Sequence, residues 1–140
     1  MSYLTVKNMI AGILKGQALS ESKEINDFEG APATELKTGF ILKCESGELI
    51  EVDSETLNDR FYDRQEWTIQ IAFPYSNNND RANLDQIHIK KDALLIELDD
   101  PANWRASVRF MKYNSWNVQA QENFILLTIK LTVSDVYIYT

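Results

Sequence analysis

Two stretches of this chain alternate between apolar and polar or small residues, and they restrict the possible folds more than any other feature. In Glu66 to Phe73, Trp67, Ile69, Ile71 and Phe73 alternate with Thr68, Gln70 and Ala72. In Glu122 to Val133, Ile125, Leu127, Ile129, Leu131 and Val133 share one face, while Thr128, Lys130 and Thr132 share the other. A period of two sends successive side chains to opposite faces of a strand, so both stretches predict strands with one face turned to a core. Such strands belong to antiparallel sheets, and their apolar face needs a cover.

Two amphipathic segments can supply it. Over Tyr3 to Lys15, Val6, Met9, Ile10, Ile13 and Leu14 recur at helical spacing, and Gly16 is a natural stop. A second helix is expected from about Arg81 to Leu98, capped by Asn79 or Asp80, with Leu84, Ile87, His88, Leu94, Leu95 and Leu98 near one stripe. Lys90, Lys91 and Asp92 fall outside that stripe. Pro74 ends the strand that precedes it, so the asparagine corner between them reads as a joint. Pro101 blocks further helix.

The rest is read from weaker signals. Thr38 to Cys44 predicts a buried strand, and Ser46 to Val52 a partner across a hairpin turn at Gly47. The acidic run from Asp53 to Gln65 reads as a loop with Phe61 and Tyr62 as an apolar insert. Ser107 to Tyr113 predicts another strand, with Val108 and Phe110 inward, then a turn over Asn114 to Asn117. The ending "DVYIYT" extends the last strand. Ser20 to Ala33 is a polar connector pinned by Ile25 and Phe28. Helix, strands, helix, strands is the order of an α+β fold: a mostly antiparallel sheet with two helices packed on one face, and residues 1–140 forming one domain.

Composition narrows the function. Hydrophobic residues are 44% and charged ones 25%, which is globular usage. No apolar run reaches the ~18 residues of a membrane span, and the amphipathic N-terminus is not the pattern of a signal peptide. One cysteine, Cys44, excludes an internal disulfide framework and favours a reducing origin. The net charge of -7 disfavours a general nucleic-acid binder. That charge is uneven. From Glu45 to Glu66 eight acids face only Arg60 and Arg64, whereas Pro101 to Gln121 holds Arg105, Arg109 and Lys112 and no acid. This asymmetry suits complementary contact between copies or with another protein.

Catalytic patterns are weak. His88 is the only histidine, and its apolar neighbours favour a structural role at the edge of the core. Cys44, in an apolar strand, reads as a buried inert thiol. There is no glycine-rich phosphate loop, and the Asp-x-Glu start at Asp53 lacks the glycine and spacing of a calcium loop. Asp99 and Asp100, before Pro101, suit a helix end. Asp27 with Glu35 and Lys37 has the outline of a magnesium nuclease site, although both parts lie in a turn-rich connector. In "NWRASVRFMKYNSW", Trp104, Phe110, Tyr113 and Trp116 interleave with Arg105, Arg109 and Lys112. Single-stranded nucleic acid could be stacked and neutralised there, but a half-buried hairpin explains the pattern without a ligand and is favoured, and the two tryptophans could anchor a protein interface.

The whole succession is similar to one family. A short amphipathic helix, a connector with "DFEGAPA", a buried "GFILKC", an acidic loop, "EWTIQIAFP", a second helix and the ending "LLTIKLTVSDVYIY" together resemble the lambda-type tail terminator (tail completion) proteins of long-tailed bacteriophages. The resemblance covers nearly the full length as pattern, without a catalytic signature. It implies a structural phage or prophage protein, an α+β subunit of a homohexameric ring that caps the tail tube, ends its polymerisation and offers the head-joining surface. Implied partners are further copies of itself, the tail tube protein and a head-completion or neck protein, with DNA only passing through the lumen. Neither cofactor, metal, catalysis nor membrane is implied, and the setting would be the tail–neck junction of the virion and the bacterial cytoplasm during assembly. The length between Glu45 and Gln65 departs from the family pattern. Candidate interface residues are Phe61, Tyr62, Asn77, Asn78, Trp104, Arg105, Arg109 and Trp116. Alternatives are another neck subunit, the magnesium nuclease on Asp27, Glu35 and Lys37, and a nucleic-acid-binding module on Trp104 to Trp116.

Overall fold

The two alternating segments pair with each other at the middle of the sheet. In the computed structural model, which describes residues 3–22, 28, 39–53, 59–74, 80–121 and 124–139, the order is α1 (Tyr3–Lys15), β1 (Ser20–Glu21), β2 (Gly39–Asp53), β3 (Asp59–Pro74), α2 (Asp80–Asp99), β4 (Phe110–Ala120) and β5 (Phe124–Tyr139). The strands lie in the order β1-β2-β3-β5-β4. β1 runs parallel to β2 and every other pair is antiparallel. The fold is α+β, as the element order predicts.

The register places the apolar sets on one face. Trp67, Ile69, Ile71 and Phe73 of β3 stand opposite Leu131, Ile129, Leu127 and Ile125 of β5. Phe40 and Leu42 of β2 continue this face on one side, and Met111 of β4 on the other. Val6, Ile10, Ala11 and Leu14 of α1, and Ile87, Leu94, Leu95 and Leu98 of α2, close over it to form one core cluster. Both helices therefore cover the same face. α1 ends just before Gly16, its expected stop, but the reversal is completed by Ala18, whose φ of 63° is left-handed. The opposite face carries a smaller cluster in which Phe28 packs with Ile41, Ala72 and Phe124. Phe28 is thus packed into the protein as expected, on the face away from the helices, while Ile25 lies outside the described residues.

Five expectations are corrected. Gly47 is not a turn: β2 is one strand of 15 residues, with a bulge between Cys44 and Ser46. Its hairpin partner is β3, which begins at Asp59, so Phe61 and Tyr62 lie in a strand and not in a loop insert. Asn114 to Asn117 is not a turn either, because β4 runs through it and absorbs the extra residue as a bulge between Tyr113 and Ser115. With β4 starting at Phe110, Val108 and Met111 are buried and Phe110 is exposed. Ser20 to Glu21, expected as connector, forms the parallel edge pair with β2.

The consequence is an arm. β4 ends at the rung Phe110–Ser134–Arg64–Glu48, while β2, β3 and β5 stay paired to Asp53, Asp59 and Tyr139. The three strands project past that rung for roughly 17 Å, at about 3.4 Å per residue.

Candidate functional site

Neither edge of the sheet is closed among the described residues. β4 has β5 on one side and no strand on the other, and β1 covers β2 only at Gly39 and Phe40. An uncovered edge presents unpaired backbone donors and acceptors, which makes it the part of a sheet most ready to bind another chain.

The β4 edge is built around Trp116. Its cross-strand partner is Ile129, so it stands on the helix-covered face, yet it remains 43% exposed because it is at the border of the sheet. α2 reaches it with two side chains one turn apart. Lys91 Nζ sits 3.8 Å from the centre of the indole, and the His88 ring meets it edge-on at 5.6 Å. Lys91, which sequence spacing sets outside the helical stripe, is in fact buried. A buried ammonium needs compensation, and the indole face together with Asp92 at 2.8 Å provides it. The signal for this lies in the pair of residues, not in either segment alone. His88 is at the edge of the core, as its sequence neighbours suggest, and its described ring contact is with Trp116.

On the other face a continuous polar chain crosses four strands. Asn114 Nδ2 donates to Thr132 Oγ1 at 2.7 Å, Thr132 Oγ1 donates to Glu66 Oε2 at 2.9 Å, and Glu66 Oε1 is 3.8 Å from Arg64 Nε. Arg64 Nη2 then donates to Glu48 Oε2 at 2.9 Å. The bulge at Asn114 aims its amide into this chain, so the irregularity in β4 is tied to β5 and β3. Thr132→Val keeps the shape and removes both of its bonds; a loss of roughly 1 kcal/mol is expected, read as a lower urea midpoint at unchanged slope.

The candidate interface residues separate. Arg105, Arg109 and Trp116 are exposed, Arg105 in the turn that follows Trp104, Arg109 just before β4 and Trp116 on it. Trp104 is buried in the main core cluster, with no hydrogen-bond partner for its indole nitrogen, and so cannot stack on a base at the surface. Phe61 and Tyr62 pair by backbone with Tyr137 and Val136 in the arm, while their side chains, like Asn77 and Asn78, lie outside the described residues. Asp27, Glu35 and Lys37 lie outside them too. The nucleic-acid patch is thereby divided: one tryptophan is in the core and the other is held by Lys91.

Titration adds one group. Cys44 is half-buried rather than fully buried, and desolvation pushes its thiol above the ordinary value while its Sγ contacts Ser46 O at 3.7 Å. It is a poor nucleophile at neutral pH. Asp100 caps the short 3-10 turn Pro101–Asn103 by accepting from the Ala102 amide at 3.0 Å, the helix-end role its position suggests. Among the described residues no group of three or more His, Cys, Asp or Glu is placed to hold a metal ion, and no helix is long and apolar enough to cross a membrane. No family model matches the chain, and no curated protein matches it.

Proposed function

We propose that the protein is a non-enzymatic assembly subunit that forms a ring, of the kind represented by phage tail terminators, capping a tail tube and offering a surface to the head or neck. The observation that carries this reading is the open-edged sheet. Two edges uncovered among the described residues allow each copy to bind a neighbour on either side, which is what a closed ring requires. The arm supports it further, because a three-stranded projection past the end of β4 gives a subunit reach toward a neighbour or an axial partner. In this reading the tube protein and the neck protein are its axial partners, and DNA passes through the lumen.

Light scattering coupled to size exclusion, with negative-stain microscopy, tests it. Rings of uniform subunit number are expected at high protein concentration. A strict monomer at every concentration and salt would overturn the reading.

A further inference from the structure

We infer that neighbouring copies join by extending the sheet, the β4 edge of one copy pairing antiparallel with the β2 edge of the next. The inference rests on the ring reading above and names its contact.

Strand direction is the first argument. β2 opposes β3, β3 opposes β5 and β5 opposes β4, so β4 runs opposite to β2. A second copy rotated about an axis along the strands keeps its strand directions. It therefore brings its β2 against β4 of the first in antiparallel sense, and repetition closes a head-to-tail ring.

Level is the second. The pairings Lys112–Thr132–Glu66–Ser46 and Phe110–Ser134–Arg64–Glu48 are single rungs across the sheet. Joined level with level, Lys112 of one copy meets Ser46 of the next, and Lys112 and Arg109 stand beside its Glu45 and Glu48. All of these side chains are exposed. The junction ends before Val118, because its level on β2, Phe40, is taken by Glu21 of β1. Ser46, Glu48 and Lys112 also share the face away from the helices, by their pairing with Glu66, Arg64 and Thr132. Glu48 already accepts from Arg64, and a carboxylate has acceptor sites for a second cation.

Charge selects the partner. The chain from Pro101 to Gln121 carries three cations and no acid, whereas β2 beyond Cys44 carries Glu45, Glu48, Glu51 and Asp53. Pairing β4 with another β4 would bring no acid to Lys112 and Arg109, since the segment from Pro101 to Gln121 carries none. Of the two edges, only that of β2 offers them opposite charge. Phe110, 44% exposed at the end of β4, would be covered by the same junction.

Two measurements test the pairing. A zero-length carbodiimide should join Lys112 to Glu45 or Glu48, mapped by peptide mass spectrometry. Such a link has to be intermolecular, since three strand spacings, about 14 Å, separate β4 from β2 within one chain. The variant R109E/K112E and the variant E45K/E48K should each weaken association about tenfold or more, the first with unchanged thermal melting and the second with a slightly lower melt, because it also loses the Glu48–Arg64 pair. A chain carrying all four substitutions should form rings again. Rings that persist in both reversed variants, or that fail to return in the fourfold chain, would overturn the strand pairing and leave the ring reading standing. A monomer under all conditions would overturn both.

Discussion

Trp67→Ala should cost roughly 3–5 kcal/mol, the range for losing a large aromatic from a packed core. Trp67 is fully buried on the central strand β3, between Cys44 and Leu131 on the flanking strands. It also ties α1 to the sheet, since the Tyr3 ring stacks on it at 5.2 Å and 19°. Its indole nitrogen donates to Gln65 Oε1 at 2.8 Å, and Gln65 in turn donates to Asp63 at 3.2 Å. Alanine therefore opens a cavity and also leaves a buried amide oxygen without its donor. A domain of this size has on the order of 5–15 kcal/mol in total, so the variant should sit near the edge of folding at 37 °C. Trp67→Phe reduces the first loss but keeps the second: it leaves a smaller cavity and still removes the donor, for about 1–3 kcal/mol. Urea unfolding followed by far-ultraviolet circular dichroism measures both. A loss below about 1 kcal/mol for the alanine variant would mean that this side chain is not packed as described.

The importance of Trp67 is legible in the sequence, and its neighbours show why other features are not. The alternation around Trp67 and around Ile129 has one apolar face covered by helices, so burial is written into a local period. The lower half of the same hairpin carries no such imprint. Residues 45–53 and 59–66 are rich in Asp and Glu, types depleted from strands, and Gly47 lies where a turn is expected. What holds them in a sheet is a backbone ladder between segments whose contact depends on the hairpin, and single-segment patterns do not register that. Asn114 misleads for a related reason: an asparagine that suits a turn suits a bulge equally well, and only the continuation of β4 against β5 decides. Arg105, Arg109 and Trp116 can be picked out as surface candidates because charge and aromatic type are visible in sequence. The openness of the two edges cannot, because it depends on strand order.

Lys91 and Trp116 should behave as one unit, and this is the second large effect. Trp116→Ala removes the indole face 3.8 Å from Lys91 Nζ and leaves a buried ammonium with Asp92 as its one described ion-pair partner. For a desolvated cation on an aromatic face the cost is roughly 2 kcal/mol. Lys91→Met has a different balance. It forfeits the same contact but also removes the need to bury a charge, so its net effect should stay within about 1 kcal/mol of wild type. In the Lys91→Met background, Trp116→Ala should then cost clearly less, giving a coupling of about 1–2 kcal/mol in the double-mutant cycle. A strictly additive cycle would show that the indole and the ammonium do not interact in solution. The cycle also bears on assembly. The α2 side chains hold Trp116 at the border of the sheet and so fix the edge that β4 offers to a neighbour. Trp116→Ala should therefore reduce ring formation in proportion to its loss of order at β4, while Lys91→Met, which keeps the indole and the charges of Arg109 and Lys112, should leave rings intact. Size-exclusion light scattering of the four proteins distinguishes these outcomes, and rings lost in the Lys91→Met protein would show that the ammonium is needed to hold Trp116, and with it the β4 edge, in place.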